Sequence, residues 1–316
     1  MTQSDRKPDR KSIRRLAGDP PKRPGRRPDE KWKPIGRRYA RPEIRKTQEW
    51  CRQQPPYFWG ALIVAAVALV LLAVVLCTSS RPEPRMDEII ETLPPPESNP
   101  YGPEDFVYAG DYLTCTAADS TLGVDVSEHQ GEIDWNQVRD AGVEYAMIRL
   151  GYRGNTEGGL FEDPMAEQNL QGARDAGLKV GAYFYSQATT PAEAREEAEY
   201  SLKILDGMKL DYPLAFDWEY VDEEARTGDM DPITLTESTI AFCEEVEQAG
   251  YEPMVYFNQD LGGRMFLLEE LTDYGFWLAM YTDEMNYPYR VDLWQYTQEG
   301  TVPGIPEPAD INLQLP

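Results

Sequence analysis

The sequence predicts an α/β fold, a TIM-like barrel of eight strands that lacks helices after its later strands and is preceded by a single transmembrane helix. Three observations support this prediction. From residue 121 onward, apolar stretches typical of strands alternate with segments typical of helices. The helical segments stop near residue 271, whereas strand-like segments continue to the C-terminus. An uncharged apolar stretch at residues 58–77 precedes the whole pattern.

Residues 1–57 form a basic segment unlike the rest of the chain. They contain 18 Lys or Arg and 7 Asp or Glu, a net charge of +11, whereas the whole chain carries −24 and the remainder therefore −35. Frequent prolines and little apolar periodicity leave too little apolar surface to offset the entropy lost on folding, so we expect a disordered tail. A basic tail can bind nucleic acid, but the next segment explains the charge more simply, and no nucleic-acid partner is expected.

Residues 58–77 read FWGALIVAAVALVLLAVVLC. About twenty uncharged residues, at roughly 1.5 Å each, match the hydrocarbon core of a bilayer, which is about 30 Å thick. A signal peptide has a shorter apolar region close to the N-terminus, whereas a long segment precedes this one. Lys and Arg are concentrated before the span, which marks that side as cytoplasmic. We therefore expect a single-pass membrane protein, with a cytoplasmic N-terminus and an extracytoplasmic outer domain.

Residues 78–120 predict a proline-rich spacer followed by a lead-in with strand-like aromatic alternation. Two cysteines lie in the outer part, Cys115 and Cys243, and they could form a disulfide or remain free and buried. His129 is the single histidine and no C-x-x-C motif is present, so a histidine-based zinc site or a Ser-His-Asp triad is not expected. No cofactor is predicted, although a cation site made of Asp and Glu alone remains an alternative. For His129 we expect a loop-packing role.

The first half of the outer domain, residues 121–316, alternates regularly. Strands are predicted at residues 122–126, 144–150 and 179–186, with helices at 134–141, 164–176 and 191–205 between and after them. Glycine follows each of these helices, and Pro191 stands in the opening turn of the third, as is typical of helix ends and starts. This order predicts repeated strand–helix units with parallel strands.

The second half begins with the fourth strand, which ends at Asp217 and Glu219. A helix at 233–249, a strand at 253–258 and a short helix at 261–271 follow. Strands at 276–281, 292–296 and 311–315 are then joined by loops. A doubly wound sheet and a closed barrel both fit strand–helix alternation. Eight strands in about 195 residues favour the barrel.

Active sites of such barrels lie at the carboxyl ends of the strands. Polar side chains collect at these ends: Asp125, Tyr183, Tyr185, Asp217, Glu219, Asn258, Tyr281 and Gln295. Asp217 and Glu219 are two residues apart, so in a strand they project to the same side. Ordinary solvated acids at the end of a buried strand would show the same spacing. A ring of aromatic residues around paired acids favours sugar chemistry, because sugars stack on aromatic rings while carboxyl groups catalyse glycoside hydrolysis.

The segment GVDVSEHQGEIDW at residues 123–135 and the D-W-E at 217–219 resemble glycoside hydrolase family 25, the Chalaropsis-type lysozymes or N-acetylmuramidases. Similar motifs follow in the same order at residues 147–149, 181–183, 294–297, 302–305 and 309–312. The resemblance covers residues 121–316 and implies an eight-stranded barrel whose last part lacks helices. One run departs from it, because residues 149–153 read RLGYR where many relatives have K-x-S/T-E-G.

The resemblance implies hydrolysis of the β-1,4 bond between N-acetylmuramic acid and N-acetylglucosamine, with retention through the substrate's own acetamido group. Glu219 would be the acid and Asp217 its partner, with Asp125 and Asp310 shaping the electrostatics around them. We expect Tyr183, Tyr185, Asn258, Tyr281 and Gln295 to contact the substrate. Peptidoglycan glycan strands are the expected partner.

Two other functions are considered. A peptidoglycan-binding or cell-wall assembly module without turnover is the main alternative, although it would not require four carboxylates. A chitinase-like hydrolase is disfavoured because the D-x-x-D-x-D-x-E run is missing. The sequence does not predict the oligomeric state.

Overall fold

The computed structural model describes residues 93–316. The predicted tail, the predicted span at 58–77 and the first part of the predicted spacer lie outside the described residues. Among residues 93–316, no helix combines the length and the apolar character needed to cross a bilayer.

The described chain begins against the body of the domain. The backbone N–H of Asn99 donates to the carbonyl of Pro288 at 2.9 Å, and that of Arg290 donates to Glu97 at 2.7 Å. A hairpin of β1 (Phe106–Ala109) and β2 (Tyr112–Cys115) follows, which gives the predicted lead-in a definite structure. The last residues of the predicted spacer are therefore part of the folded domain.

Eight strands close the barrel. They are β3 (Thr121–Val126), β4 (Tyr145–Arg153), β6 (Lys179–Ser186), β7 (Leu214–Trp218), β8 (Pro253–Asn258), β9 (Gly275–Ala279), β10 (Leu293–Gly300) and β11 (Ala309–Gln314). Pairing of β3 with β4 completes the ring, and the short β5 (Leu160–Glu162) adds an antiparallel ribbon beside the end of β4. Strands such as β7 are buried along their whole length, as expected for strands that have side chains packed on both faces.

The last strand breaks the parallel pattern predicted from the strand–helix alternation. β11 runs antiparallel to both β10 and β3. Only residues 301–308 join β10 to β11, which is too short for the crossover that a parallel neighbour needs. The fold is therefore an eight-stranded barrel, not a true TIM barrel. Because β11 is reversed, its first residues reach the rim where the parallel strands end, and Asp310 pairs in register with Asp125.

Five α-helices occur in residues 93–316: α1 (Trp135–Asp140), α2 (Ala166–Asp175), α3 (Pro191–Leu205), α4 (Pro232–Gln248) and α5 (Gln259–Arg264). The predicted bounds of α3 are confirmed. The predicted helix at 261–271 is wrong, because α5 ends at Arg264 and a 3-10 turn follows at Leu268–Glu270. Adjacent glycines at 262 and 263 weaken this helix, and the buried side chains of Phe266 and Leu271 draw the following chain onto the core.

Alternate residues of the strands fill the barrel interior. Buried side chains there form a cluster of their own, distinct from the main hydrophobic core. Its members are Tyr145, Met147, Tyr183, Tyr212, Ala215, Met254, Tyr256, Trp277, Ala279 and Leu293. Cys115 and Cys243 are both buried and free, so the possible disulfide is not formed. A cavity of about 590 Å³ lies at the rim where the parallel strands begin. Glu97, which is close to the first described residue, is one of its lining residues. The first described residues therefore lie at the end of the barrel opposite the rim where the parallel strands end.

Candidate active site

A cleft of about 220 Å³ opens at the carboxyl ends of the parallel strands. All four predicted carboxyl groups line it, together with four of the five predicted contact residues. The lining residues are Asp125, Ser127, His129, Gln130, Arg149, Tyr183, Tyr185, Asp217, Glu219, Tyr256, Trp277, Tyr281, Gln295, Gln298 and Asp310. The structure thus brings residues from all eight barrel strands and their loops to one site.

Asp217 and Glu219 line this cleft at the end of β7. Asp217 is the penultimate residue of β7 and only 5% exposed, with Tyr185 and Tyr256 as its register partners on either side. Its Oδ1 atom has no hydrogen-bond partner among the described residues. Glu219 follows the last residue of β7, and both acids face the cleft, as their spacing predicts.

Asp125 is held by a network of side chains inside the barrel. The amide nitrogens of Gln295 and Asn312 each donate to its Oδ2 atom at 2.8 Å. The hydroxyls of Tyr256 and Tyr281 donate to Oε1 of Gln295 at 3.0 and 3.1 Å. With both tyrosine hydroxyls donating to its amide oxygen, Gln295 presents its NH₂ group to Asp125. The network therefore favours the ionised form of Asp125.

Asp310 faces Asp125 across the β3–β11 pair. Burial raises the pKa of Asp125 to about 6, although the two amide donors oppose the shift. Burial and the negative charge of Asp125 raise the pKa of Asp310 to about 9. At neutral pH, Asp310 therefore holds a proton beside an ionised Asp125.

The pKa values of Asp217 and Glu219 are both raised. Burial, followed by the charges of Glu219 and Asp125, raises the pKa of Asp217 well above its ordinary value, while Arg149 acts in the opposite direction. Burial raises the pKa of Glu219. Two neighbouring carboxyl groups titrate together, so the bound proton belongs to the pair. The pair therefore keeps a proton at a pH where an ordinary carboxyl group is ionised.

Arg149 is the one Lys or Arg among the residues that line the cleft. Its Nε atom donates to Asp163 at 2.7 Å, and a terminal nitrogen donates to Glu128 at 3.2 Å. The guanidinium also lies 5.4 Å from the ring centre of Tyr152. This residue opens the run that departs from the family pattern. Because that pattern has Lys at this position, the positive charge is retained, and in this chain it lies in a cleft lined by four carboxyl groups.

The aromatic residues differ in how much surface they offer. Tyr281 is 50% exposed and Tyr185 half-buried, so both present ring surface to the cleft. Tyr183 is mostly buried and packs edge-to-face on Trp277 at 5.8 Å. Rings that remain open to solvent beside acids suit the stacking of sugars.

Asn258 does not line the cleft. Its Oδ1 atom accepts the backbone N–H of Leu261 at 2.9 Å and so caps the start of α5. Together with Tyr281 it lines a neighbouring shallow depression. The structure therefore gives Asn258 a capping contact and separates it from the carboxyl groups.

Sequence reasoning did not identify several residues of the site. Tyr256 stands two residues before Asn258 on β8, and Asn312 two residues after Asp310 on β11, so strand alternation could have indicated both. Arg149 lies within the family-like motif at residues 147–149, and Trp277 stands four residues before Tyr281 in the predicted strand at 276–281, so both could also have been indicated. The exposed His129 lies at the cleft edge, and its backbone N–H donates to Ser127 Oγ at 3.3 Å within the loop. Within residues 93–316, no group of three or more acidic, cysteine or histidine side chains is arranged to hold a metal ion.

Comparison with known proteins places this site in a family. The chain is 29% identical over 195 residues to the autolytic lysozyme of Clostridium acetobutylicum, a match that covers 60% of this chain and 54% of that protein. It is similar in structure to the modular autolysin LytC from Streptococcus pneumoniae, with a TM-score of 0.52, 29% identity, and coverage of 62% of this chain and 47% of that one. The chain thus spans about half the length of each.

A family 25 glycosyl hydrolase from Bacillus anthracis shares the fold, with a TM-score of 0.55 at 18% identity and coverage of 66% of this chain and 95% of that one. The sequence model of the family named glycosyl hydrolases family 25 matches residues 124–305. This range runs from the first barrel strand to the loop before β11. This match covers more than half of the chain and includes Asp125, Asp217 and Glu219. The chain therefore belongs to glycosyl hydrolase family 25.

Proposed function

We propose that this protein is a muramidase, which hydrolyses the β-1,4 bond between N-acetylmuramic acid and N-acetylglucosamine in peptidoglycan. The observation that carries the proposal is the convergence of four carboxyl groups with raised pKa values in one cleft. A glycosidase needs a proton donor beside a group that stays negative while positive charge develops on the sugar. Relatives described as lysozymes and autolysins support the same substrate.

The proposed reaction proceeds in two steps with retention at the anomeric carbon. Glu219 protonates the glycosidic oxygen while the acetamido carbonyl oxygen of the muramic acid attacks C1 and the C1–O bond breaks. Asp217 accepts a hydrogen bond from the acetamido N–H and stabilises the cyclic cation. Glu219 then takes a proton from water, whose oxygen attacks C1 and reopens the ring. Two inversions at C1 restore the starting configuration.

The surrounding charges fit this division of roles. In the free protein the bound proton is shared by Asp217 and Glu219. A glycosidic oxygen beside Glu219 and an acetamido N–H beside Asp217 would place that proton on Glu219, because each substrate group favours one protonation state. The fixed Arg149 also favours an ionised Asp217. The neutral Asp310 limits the negative charge around them.

The decisive experiment uses the full-length chain and purified peptidoglycan. New reducing ends are converted with borohydride, and the sugar alcohols are identified by mass spectrometry. A muramidase yields muramitol ends, whereas a glucosaminidase yields glucosaminitol. If glucosaminitol alone appeared, or if no new reducing ends were formed, the proposal would be refuted. The full chain is preferred because residues 97–101 pack against the barrel, so a fragment starting at residue 105 loses these contacts.

A binding or assembly module without turnover is the second candidate. Bringing four carboxyl groups together in one cleft, two of them buried and two half-buried, costs folding free energy, and a binding surface does not require them. In the borohydride assay this alternative would appear as stable sedimentation with peptidoglycan and no new reducing ends.

We infer a membrane anchor at residues 58–77, with the N-terminus cytoplasmic and the barrel outside. The support is the uncharged segment and the excess of Lys and Arg before it. Protease added to intact cells stripped of their wall should digest residues 121–316 and spare the basic tail. Tags at the two ends report the two sides in one immunoblot. Protection of the barrel in intact cells, with digestion only after lysis, would contradict this orientation.

Activity is expected to decrease as pH rises, because the Asp217–Glu219 pair loses the proton that the reaction needs. The negative charge of Asp125 raises the pKa of Asp217 within this pair. Asp125→Asn should therefore shift the alkaline limb of the kcat/KM profile to lower pH. The measurement is a pH–rate profile at constant ionic strength, since salt screens longer-range charge effects. A profile that keeps rising into alkaline conditions would contradict the proton-donor assignment.

A further inference from the structure

Glu219 lies just beyond the end of β7, where strand pairing no longer fixes the chain. β7 ends at Trp218, whose last register partner is Ser186 of β6. On the other side, pairing with β8 stops at Asp217. The catalytic acid proposed above therefore begins a connection to α4 that is not part of the sheet. Another contact must hold it in place.

That contact comes from the side chain of Gln187. The residue follows β6 and is fully buried. Its Nε2 atom donates to the backbone carbonyl of Glu219 at 2.9 Å and to that of Ser186 at 2.9 Å. Its Oε1 atom accepts the hydroxyl of Thr227 at 2.7 Å. Since both carbonyls can only accept, the orientation of the amide is fixed, and its two N–H groups are both used.

A second set of contacts joins the connection after β6, which contains Gln187, to the connection after β7, which contains Glu219. Arg226 donates to the carbonyl of Gln187 at 2.6 Å and forms a two-pronged ion pair with Glu193, at 2.6 and 3.0 Å. Burial alone would raise the pKa of Glu193, but hydrogen bonds from Arg226 and Thr189 outweigh it and lower the pKa to about 2. Glu193 is therefore ionised across the working pH range. The loop after β7 is therefore tied at Glu219 and at residues 226–227 to Gln187, and through Arg226 also to the start of α3.

We propose that Gln187 is a positioning residue for the proton donor: its side-chain amide replaces the missing strand pairing and fixes the backbone at Glu219. This inference rests on the proposed glycosidase function. A side chain acting in this way touches no substrate. Its loss should misplace the carboxyl group of Glu219 without altering the aromatic surfaces that bind sugar, so kcat should fall while KM changes little.

Gln187→Met tests the proposal, because methionine has nearly the same length but no amide donor. On peptidoglycan, kcat should fall by about 10- to 100-fold, the range expected when a catalytic group is displaced by about 1 Å. Thr239→Val is the matched control, because it removes one buried hydrogen bond, from Thr239 Oγ1 to Leu235 at 2.9 Å, within α4. The control should lose stability and keep kcat.

A substrate with a better leaving group separates positioning from general damage. A 4-methylumbelliferyl glycoside of N-acetylglucosaminyl-N-acetylmuramic acid needs little protonation, so Gln187→Met should affect its cleavage by less than about threefold. In the Glu219→Gln background, Gln187→Met should add no further loss, because it acts through Glu219. Equal losses on both substrates, or additive losses in the double variant, would overturn the proposal.

Hydrogen exchange provides a readout that does not depend on activity. Peptides covering residues 219–226 should exchange faster in Gln187→Met and remain unchanged in Thr239→Val. Unchanged protection of this segment in Gln187→Met would overturn the positioning role. If the wild-type chain failed to cleave peptidoglycan, the proposed function would be wrong, and the exchange result would still decide whether Gln187 holds the segment.

Discussion

Glu219→Gln is expected to reduce turnover of peptidoglycan by about 10² to 10⁴ or more, the usual contribution of general acid–base catalysis. Glutamine keeps the size and hydrogen-bonding capacity of the side chain but cannot protonate the glycosidic oxygen. Substrate binding should change little, so the loss should appear in kcat. The measurement is the rate of release of reducing ends at the pH optimum of the wild-type protein.

Two controls make this result specific. Glu167→Gln applies the same chemical change to an exposed position on α2 and should leave kcat unchanged. Cleavage of the 4-methylumbelliferyl glycoside by Glu219→Gln should be impaired much less than cleavage of peptidoglycan, because its leaving group needs little protonation. Wild-type turnover of peptidoglycan by Glu219→Gln would refute the whole site.

Local rules explain what could be predicted of the fold and the site. Strand alternation places Asp217 and Glu219 on one face, and the structure brings both into the cleft. Helix end signals correctly gave the bounds of α3. Both features depend on residues close in sequence, where backbone geometry decides the outcome.

Asp310 shows where local rules are insufficient. Its place opposite Asp125 depends on the reversed direction of β11, which follows from the short connection after β10. The strand–helix pattern predicts parallel neighbours, so only the family resemblance pointed to Asp310. Strand direction at the end of a barrel is a property of the connection, whereas hydrophobic pattern reports only that a strand exists.

Asn258 and Gln187 illustrate a second limit. Asn258 ends β8 as the rule for site residues requires, yet α5 begins at the next residue and asparagine is among the best N-cap residues, so its side chain turns to the helix. Gln187 has no motif around it. Its role depends on a carbonyl 32 positions away that strand pairing leaves free, which only tertiary structure reveals.

Asp217→Asn should also reduce turnover strongly, because the amide can accept the acetamido N–H but cannot stabilise a positive charge. Asp217→Ala should show a similar loss. Added azide should not restore activity to Asp217→Ala through an inverted glycosyl azide, because in the proposed reaction the nucleophile belongs to the substrate. The measurements are kcat for both variants and the anomeric configuration of any azide product by NMR.

The competing mechanism makes the opposite prediction for the same residue. If Asp217 attacked C1 itself, removing its carboxylate would leave space for azide, and Asp217→Ala would form the inverted azide. A trapped glycosyl-enzyme on Asp217 would also be found by mass spectrometry. Asp217 is the more buried of the two acids, and Arg149 opposes the rise of its pKa. An ionised Asp217 suits both mechanisms, so the azide and trapping experiments decide between them. Detection of that adduct would assign the nucleophile to the protein and leave the proton-donor role of Glu219 intact.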